Sequence, residues 1–472
     1  MASISSLGLS GLPLSDLLAD LRKVEEAPLK LLADRKTSFE TKISGYGIIK
    51  SSLSSLQGSI KTLGETASFN ALKTTSSNTT SLTSSIPAGS KAVAGSYTVE
   101  VKNLATTQSL ASAKQTALDA DLGKGGTITF KLGNDGAAKS VTVDLGDGKA
   151  TLESVRSAIN DANLGFTATL VNNGDSSEPH QLVVSTKETG TAARIFEIDV
   201  AGNDALKAIL QYKEGGTVTT GMTQAGEGAK DAKLTVNGIE ITKGSNTITD
   251  AIEGVTLNLL APTAADAPLS LKVEENTAVA SSAIKAFVTA YNSLNSVISQ
   301  LTTYNAAEQT ASALTGDRVP RTVQSQLRSV VGSLTGEGGI QMLSQLGVTT
   351  NIDTGALEID DAKLTKALAE NKGDVSAFFT GDNGFAKKLN TTIDNMLSSD
   401  GLIANATEGM KKSVDTVIKQ AESMTSRIDD TMARYQSQFV ALEVLMSQMN
   451  STSSYLTTQL DMLESMAKSS KK

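Results

Sequence analysis

The residue types that carry most catalytic and metal chemistry are nearly absent from this chain. It contains no cysteine and a single histidine, His180. A thiolate nucleophile, a cysteine-ligated metal and a metal site with two or more histidines are therefore excluded. His180 follows Pro179 in a stretch rich in Gly, Asp and Ser, which is typical of a loop residue and not of a general base.

Three short motifs could suggest other chemistry. Gly123-Lys124-Gly125-Gly126 lacks the strand, loop and helix context of a phosphate-binding loop, and the segment from Gly332 to Gly336 lacks the spacing of a nucleophile elbow. Asp360-Asp361 precedes a helical pattern, where carboxylates satisfy free backbone N–H groups, and this is favoured over a metal site. A Ser–Lys pair or two carboxylates brought together by folding stay open. We expect no enzyme activity and no cofactor.

Composition and charge exclude further classes. The formal net charge is −8 with a pI of about 5.0 and no long basic run, so nucleic acid binding is not expected. Aromatic residues make up 4% of the chain, which favours elongated helices and thin β-domains over a compact enzyme. No apolar run approaches ~20 residues, and the N-terminus lacks a secretory signal, so neither membrane insertion nor a cleaved signal peptide is expected.

The elements that organise the chain follow from its hydrophobic period, which changes twice. Helical spacing over about residues 14–63 is interrupted by Pro28, which is expected to end or kink the first helix near Ala27. A period of two over about 86–273 predicts strands, and helical spacing returns from about 287. The predicted fold class is α+β multidomain, with a terminal α-helical coiled-coil stem and a helical bundle domain into which β-rich head domains are inserted.

The changes in period also predict domain boundaries and local elements. Short helices are expected at 152–162 and 204–211, and two weakly repeated pieces, 151–170 and 247–259, each read as a helix that leads into a strand. The predicted domains are a stem (1–42 and 430–472), a helical leg (43–75 and 276–429) and a head (76–275) with an inner part (about 76–100 and 175–275) and an outer part (about 101–174).

The C-terminal segment carries the strongest pattern in the chain. Apolar residues follow a and d heptad positions, as in a coiled coil: Ile428, Met432, Tyr435, Phe439, Leu442, Met446, Met449, Leu456, Leu460 and Leu463. A shorter stripe near the N-terminus has helical spacing: Leu14, Leu17, Leu21 and Val24. Because a narrow apolar stripe does not stabilise a lone helix, we expect the two terminal helices to pair antiparallel and to complete their packing against other subunits. An ordinary intramolecular bundle is the alternative.

Methionine is concentrated in the same region, since eight of the eleven methionines lie between Met396 and Met466. Methionine repacks easily against non-identical surfaces, so the pattern is consistent with a seam that tolerates inequivalent neighbours. Plain core filling is the alternative.

The chain resembles the flagellar hook-associated protein 2 family, the filament cap proteins. The motifs that carry the resemblance run along the whole chain: Ala2–Gly8 with Gly11 and Leu14–Leu18, Ala290–Leu294, Leu314–Asp317 continuing to Leu327, Leu346–Thr350 with Gly355–Asp360 and Lys363-Leu364, Arg427–Asp429, and Ser451–Leu456. The segment from Asn246 to Leu257 is similar to a small module of flagellins and hook-associated proteins.

The resemblance implies a structural protein outside the cell, at the distal tip of the flagellum, exported through the flagellar type III route without a cleaved signal peptide. It implies a homo-oligomeric ring, a pentamer within a range of four to six copies, that folds and places flagellin. Its other implied partners are the hook–filament junction protein and an export chaperone at the C-terminal helix. Another flagellar axial protein, or an adhesin acting through the head, is the alternative.

Overall fold

The computed structural model describes residues 14–133, 139–216, 220–264, 267–336 and 338–469. The chain forms two compact units. The first is built from the chain up to Phe69 and from Thr277 onward, and the second runs from Asn70 to Asn276. A β-rich unit is thus inserted into a helical one, which confirms the predicted α+β multidomain class. The predicted boundary at 75/76 is too late, because residues 72–76 form a strand that pairs within the second unit.

The first unit begins with a 50-residue helix, α1 (Leu14–Leu63), and a single turn, α2 (Thr66–Phe69). Of the two expected outcomes at Pro28, a helix end near Ala27 or a kink, the end is wrong, since α1 continues through Pro28. Proline removes one helical hydrogen bond and crowds the preceding turn. Leu29, next to this proline, is half-buried, and a tertiary contact of this kind is not visible in local sequence.

The second unit contains sixteen strands and two helices within the described residues. In chain order they are β1 (Leu72–Ser76), β2 (Leu82–Ser85), β3 (Gly95–Asn103), β4 (Ser109–Ala111), β5 (Thr127–Leu132), β6 (Lys139–Asp144), α3 (Leu152–Asp161), β7 (Phe166–Asn172), β8 (His180–Thr186), β9 (Ile195–Ala201), α4 (Asp204–Leu210), β10 (Tyr212–Lys213), β11 (Thr223–Gln224), β12 (Ala232–Val236), β13 (Ile239–Lys243), β14 (Thr247–Ile252), β15 (Val255–Leu259) and β16 (Leu269–Glu275). The two helices confirm the predictions at 152–162 and 204–211.

These strands form antiparallel sheets around two separate cores. The order β1-β16-β3-β12-β13 and the order β14-β15-β2 enclose an inner core that includes Val99, Leu257 and Leu271. The orders β10-β9-β5-β6 and β11-β4-β8-β7, together with α3 and α4, enclose an outer core that includes Phe130 and Phe166. The alternating apolar residues that predicted strands are the residues that fill these cores.

The predicted division between the inner and outer parts is wrong at 174/175. The outer core draws its residues from Leu110 to Met222, because β8 pairs with β4 and β7 while β9 pairs with β5. Strand pairing is non-local, so alternation along the chain does not say which strands share a sheet. The second predicted helix–strand repeat is also wrong, since residues 247–252 form β14, which pairs with β15. Only the first copy begins with a helix.

The chain then returns to the helical unit. Its elements are α5 (Thr277–Thr302), β17 (Tyr304–Asn305), β18 (Thr310–Ala311), α6 (Arg318–Val331), a 3-10 helix (Leu343–Leu346), β19 (Val348–Thr350), β20 (Leu357–Ile359), α7 (Asp361–Glu370), α8 (Lys372–Thr380), α9 (Phe385–Leu397) and α10 (Leu402–Ser469). Helices α7 and α9 lie in the stretch from about residue 287 where helical spacing returns. None of the described helices is long and apolar enough to span a membrane.

One face of α1 fills the core of the helical unit. The side chains of Tyr46, Ile49, Leu53, Leu56, Ile60 and Leu63 are buried against α5 and α9 at helical spacing. Below them, Phe379 stacks on Phe69 with ring centroids 5.5 Å apart, and Phe385 meets Phe287 edge-on at 5.4 Å. This apolar bundle holds the lower half of α1 and the first turns of α10 in place.

Candidate interface along the paired terminal helices

The two long helices of the first unit lie antiparallel. Arg22 of α1 pairs with Asp429 of α10 at 3.0 Å, whereas Gly47, further along α1, lines a groove together with Ile403, earlier in α10. The residue numbers therefore run in opposite directions, as the sequence predicted for the stem. Pro28 faces the same shallow groove as Ile428, which is 5% exposed.

The heptad stripe of α10 is only partly covered after Ile428. Met432, Tyr435, Phe439 and Met446 are half-buried. The remaining described a and d residues are exposed by 43–65%: Leu442, Met449, Leu456, Leu460 and Leu463. The structure thus brings the first members of the heptad stripe against α1 and leaves the later members without cover from the described part of the chain.

The N-terminal stripe shows the same incomplete cover. Leu21 is half-buried, while Leu17 and Val24 are 47% and 71% exposed. The side chain of Leu14 lies outside the described residues. Only one of the three described stripe residues therefore packs appreciably within the chain, so α1 above Pro28 does not form a closed two-helix stem with α10.

A second apolar stripe runs along α10 and was not recognised from the heptads. Its members are Val440, Val444, Tyr455, Met462 and Met466, all exposed by at least 44%. They are separated by four, eleven, seven and four residues, which at 100° per residue places four of them 100–160° around the helix from the nearest heptad residue and Met466 60° from Leu463. The sequence shows this second stripe as an eleven-residue repeat. The end of α10 therefore presents apolar side chains on two sides.

Glu443 lies between these two stripes and is only 6% exposed, and its Oε1 atom has no hydrogen-bond partner among the described residues. Buried carboxylate oxygens are normally hydrogen-bonded, because an unsatisfied one loses its hydration without compensation. No described hydrogen-bond donor reaches this carboxylate oxygen.

Where α1 and α10 meet, ion pairs lie at one position and an apolar groove lies nearer the bundle. Arg22 contacts Glu26 at 2.7 Å as well as Asp429, and the two hydrogen-bonded carboxylates raise the pKa of its guanidinium. Nearer the bundle, an apolar groove of about 570 Å³ separates the helices and is lined mainly by Leu29, Leu32, Ala33, Val417, Ile418 and Ala421. The pairing is thus loose along the upper part of α1.

His180 and Asp360, which were candidates for catalytic or metal chemistry, both have structural roles. The prediction that His180 lies in a loop is wrong, since it is the first residue of β8 and its backbone pairs with Gln115. Asp360 caps α7 by accepting the Lys363 N–H at 3.0 Å, which lowers the pKa of its carboxyl, as expected for a helix start. Among the described residues, no group of three or more histidines and carboxylates could hold a metal ion.

Comparison with known proteins agrees with this geometry. The family model for the flagellar hook-associated protein 2 N-terminus matches residues 10–108, and the model for its C-terminus matches 229–451. The chain is 36% identical to flagellar hook-associated protein 2 of Escherichia coli K12, over 98% of this chain and 99% of that protein. It is 37% identical to the Salmonella typhimurium protein of the same name, over 97% and 98%.

A solved structure gives the same result. The crystal structure of the D1-D2-D3 domains of the Escherichia coli flagellar cap protein FliD aligns with a TM-score of 0.63 at 33% identity. The alignment covers 78% of this chain and 99% of that chain.

A third family model, the flagellin hook IN motif, matches residues 127–188. The sequence resemblance had placed such a module at Asn246–Leu257, which lies outside the residues that this model matches. The matched segment spans β5 to β8 with α3, and it contains the piece of the weak repeat that does form a helix and a strand. The chain belongs to the flagellar hook-associated protein 2 family, also called FliD, whose solved members include flagellar cap proteins.

Proposed function

We propose that this chain caps the distal end of a bacterial flagellar filament, where it retains exported flagellin and promotes its folding and insertion. The observation that carries the proposal is the surface of α10 beyond Ile428. Apolar side chains cover two sides of this helix, and the described part of the chain buries neither. A helix with two exposed apolar faces needs neighbours on both sides.

The partners follow from this requirement and from the family. A second copy of the chain and the terminal helices of flagellin would each cover one face of α10. We infer a ring of five copies, within a range of four to six, located outside the cell at the filament tip. The hook–filament junction protein, export through the flagellar type III route and an export chaperone on the C-terminal helix belong to the same proposal.

Within this function the parts of the chain take separate roles. Residues 1–42 and 430–472 form the stem that packs into the assembly, and the residues of the heptad stripe and the N-terminal stripe are its contact residues. The bundle around Tyr46 and Phe385 is the leg, and the β-rich unit is the head that forms the plate. The comparisons give no support to a junction protein, a flagellin or an adhesin.

The test is complementation of a strain that lacks its cap protein and leaks flagellin. The whole chain should restore filaments. A chain without residues 431–472 should not, although its bundle core, whose last member on α10 is Ile403, is intact. Unchanged thermal unfolding of both units in the truncated chain is the control. Filament growth supported by the truncated chain would contradict the proposal, as would leakage that persists with the whole chain.

A further inference from the structure

The second unit consists of two parts that are joined by polar contacts. The outer part comprises β4 to β11 with α3 and α4, and the inner part comprises the other strands of the unit. Among the described residues, the two cores have no buried apolar side chain in common. Two folded bodies move relative to each other unless a large apolar interface holds them. A few polar contacts must therefore fix the angle between the two parts.

The chain crosses between the two parts twice, and the two crossings pair with each other. Thr106, on the first crossing, donates its N–H to the Lys230 carbonyl at 2.9 Å, and the Lys230 N–H donates to the Thr106 hydroxyl at 3.0 Å. On the inner side, Ala105 exchanges two hydrogen bonds with the Asn246 side chain, at 2.7 and 2.9 Å. A two-stranded ribbon is only marginally stable by itself, so this pair of crossings is suited to act as a hinge.

A loop of the outer part makes a third contact with the inner part. This latch loop, residues 187–193, lies between β8 and β9. Its Thr191 donates the backbone N–H to Oδ1 of Asp231 at 2.6 Å and the side-chain hydroxyl to Oδ2 of Asp231 at 2.8 Å. Asp231 directly precedes β12, a strand of the inner part. Both oxygens of one carboxylate therefore hold one residue of the latch loop, and hydrogen bonds to a charged acceptor are stronger than those between neutral groups.

The backbone of the latch loop also lies directly on the inner part. Thr189 donates its hydroxyl to the Gly244 carbonyl at 2.6 Å, and the Gly190 N–H donates to the Thr106 carbonyl at 3.0 Å. Gly190 has a φ of 91°, and a Cβ atom at this position would lie 2.5 Å from the Cα atom of Gly244. Only glycine combines this backbone conformation with so close an approach.

The contact borders a groove that is open to water. The groove has a volume of about 690 Å³, and the apolar side chains that line it are the small ones of Ala192 and Ala193. Separation of the latch loop from Gly244 therefore exposes little apolar surface. The hydrogen bonds that break can be replaced by bonds to water, so the net cost of opening is modest.

We propose that the latch loop is a reversible lock on a hinge within the β-rich unit. In the closed state, Asp231 holds Thr191, and the outer part keeps one angle to the inner part. Opening breaks the contacts of residues 189–191 and leaves both cores and the paired crossings intact, so the outer part turns about the crossings as in other hinge motions. The hinge lies within a single copy of the chain, so it does not depend on the proposed cap function.

The absence of cysteine allows two spin labels to report the angle between the parts. Full-length chain carries labels at Val171→Cys on β7 and Ile239→Cys on β13, which are both exposed, and is diluted with unlabelled chain. Double electron–electron resonance should then give one narrow distance. Addition of Asp231→Ala should widen the distance distribution about twofold, as expected for a released hinge. An unchanged distribution would overturn the proposal.

Two glycines with similar backbone conformations provide a matched steric comparison in the labelled chain. Gly190→Ala places a Cβ atom against Gly244, whereas Gly165→Ala has a similar φ of 88° and no atom within 4 Å of its Cβ. Both alanines carry the strain of a positive φ, so this strain cancels in the comparison. Only Gly190→Ala should widen the distance distribution. Equal widening in both variants would assign the effect to backbone strain and would overturn the latch.

Amide hydrogen exchange separates hinge opening from unfolding of the outer part. In Asp231→Ala, the Gly190 N–H keeps its acceptor but should exchange about tenfold faster, because the loop opens locally. The Thr106 N–H should keep its protection, since the crossings stay paired, and so should the amides of β8. Unchanged exchange at Gly190 would show that Asp231 does not hold the loop, and fast exchange throughout β8 would show that the outer part unfolds. Either result would overturn the proposal.

Discussion

Tyr46 of α1 donates a hydrogen bond of 2.6 Å to Oδ2 of Asp317, whose Oδ1 accepts the Val319 N–H at 2.8 Å and so begins α6. One carboxylate thus ties the point where α1 enters the bundle to the start of another helix. Burial of the phenol, followed by this hydrogen bond and the nearby carboxylate charge, raises the pKa of Tyr46.

This relationship predicts an alkaline sensitivity. A tyrosine whose folded pKa lies above its unfolded value favours folding below the unfolded pKa, near 10, and that contribution is lost as pH rises through the folded pKa. Tyr46→Phe should lower the free energy of unfolding at neutral pH by about 1 kcal/mol through loss of the hydrogen bond. It should also flatten the decline above pH 10, measured by urea unfolding. A variant curve parallel to the unchanged one would contradict this assignment.

The cap of α7 predicts the opposite dependence. The Lys363 N–H lowers the pKa of Asp360, so the carboxylate stabilises the fold above its unfolded pKa and loses that effect as pH falls through the folded pKa. Asp360→Asn keeps a capping acceptor without the charge. Unfolding should be similar for the two proteins at neutral pH, and the loss of stability below about pH 4 should be shallower in the variant. An identical acid limb would rule this out.

Two leucines should separate stability from assembly. Leu53 is fully buried in the bundle, and Leu53→Ala should cost about 2–5 kcal/mol of unfolding free energy. Leu460 is 65% exposed, and Leu460→Ala should change that energy by less than about 0.5 kcal/mol. Filament growth in a complementation assay should nevertheless fall with Leu460→Ala. Normal growth would show that the exposed heptad residues are not contacts.

The methionine seam can be tested by rigid replacement. Met446 and Met449 belong to the heptad stripe, and changing both to Leu preserves volume while removing flexibility. We expect monomer unfolding to stay the same and filament elongation to slow. Met342→Leu, at an exposed methionine outside α10 and outside both stripes, is the control. Wholly unaffected elongation in the first pair would favour plain apolar packing.

Amide hydrogen exchange should show directly that the end of α10 lacks packing contacts in the monomer. In dilute monomer, amide hydrogens of α10 beyond Val440 should exchange fast, because the helix there buries little apolar surface. Amides near Leu53 should stay protected. Assembly should slow exchange beyond Val440 and leave Leu53 unchanged. Strong protection of this segment in the monomer would mean that α10 needs no partner.

Periodicity alone predicted the elements that depend on local pattern. The heptads from Ile428, the helices near α3 and α9, and the cap at Asp360 follow from spacing and capping chemistry within a few residues. The absence of cysteine and the single histidine excluded whole classes of metal and thiol chemistry. These features need no knowledge of what lies across the fold.

The errors lie where distant segments compete with local signals. Pro28 indicated a helix end or a kink, and α1 nevertheless runs through it as one helix. The segment that begins at Thr247 was predicted to be a helix, but it forms β14, which pairs with β15. The predicted boundary between the inner and outer parts at 174/175 is wrong because β9 pairs with β5, which lies more than sixty residues earlier in the chain.

The amino-acid sequence by itself determined the helical ends, the β-rich insertion and the apolar stripes, because side-chain period depends only on the order of residues. Tertiary structure decided which stripe residues are covered and which strands share a sheet. Those outcomes depend on segments far apart in the chain, whose contact free energies outweigh local preference only once they meet.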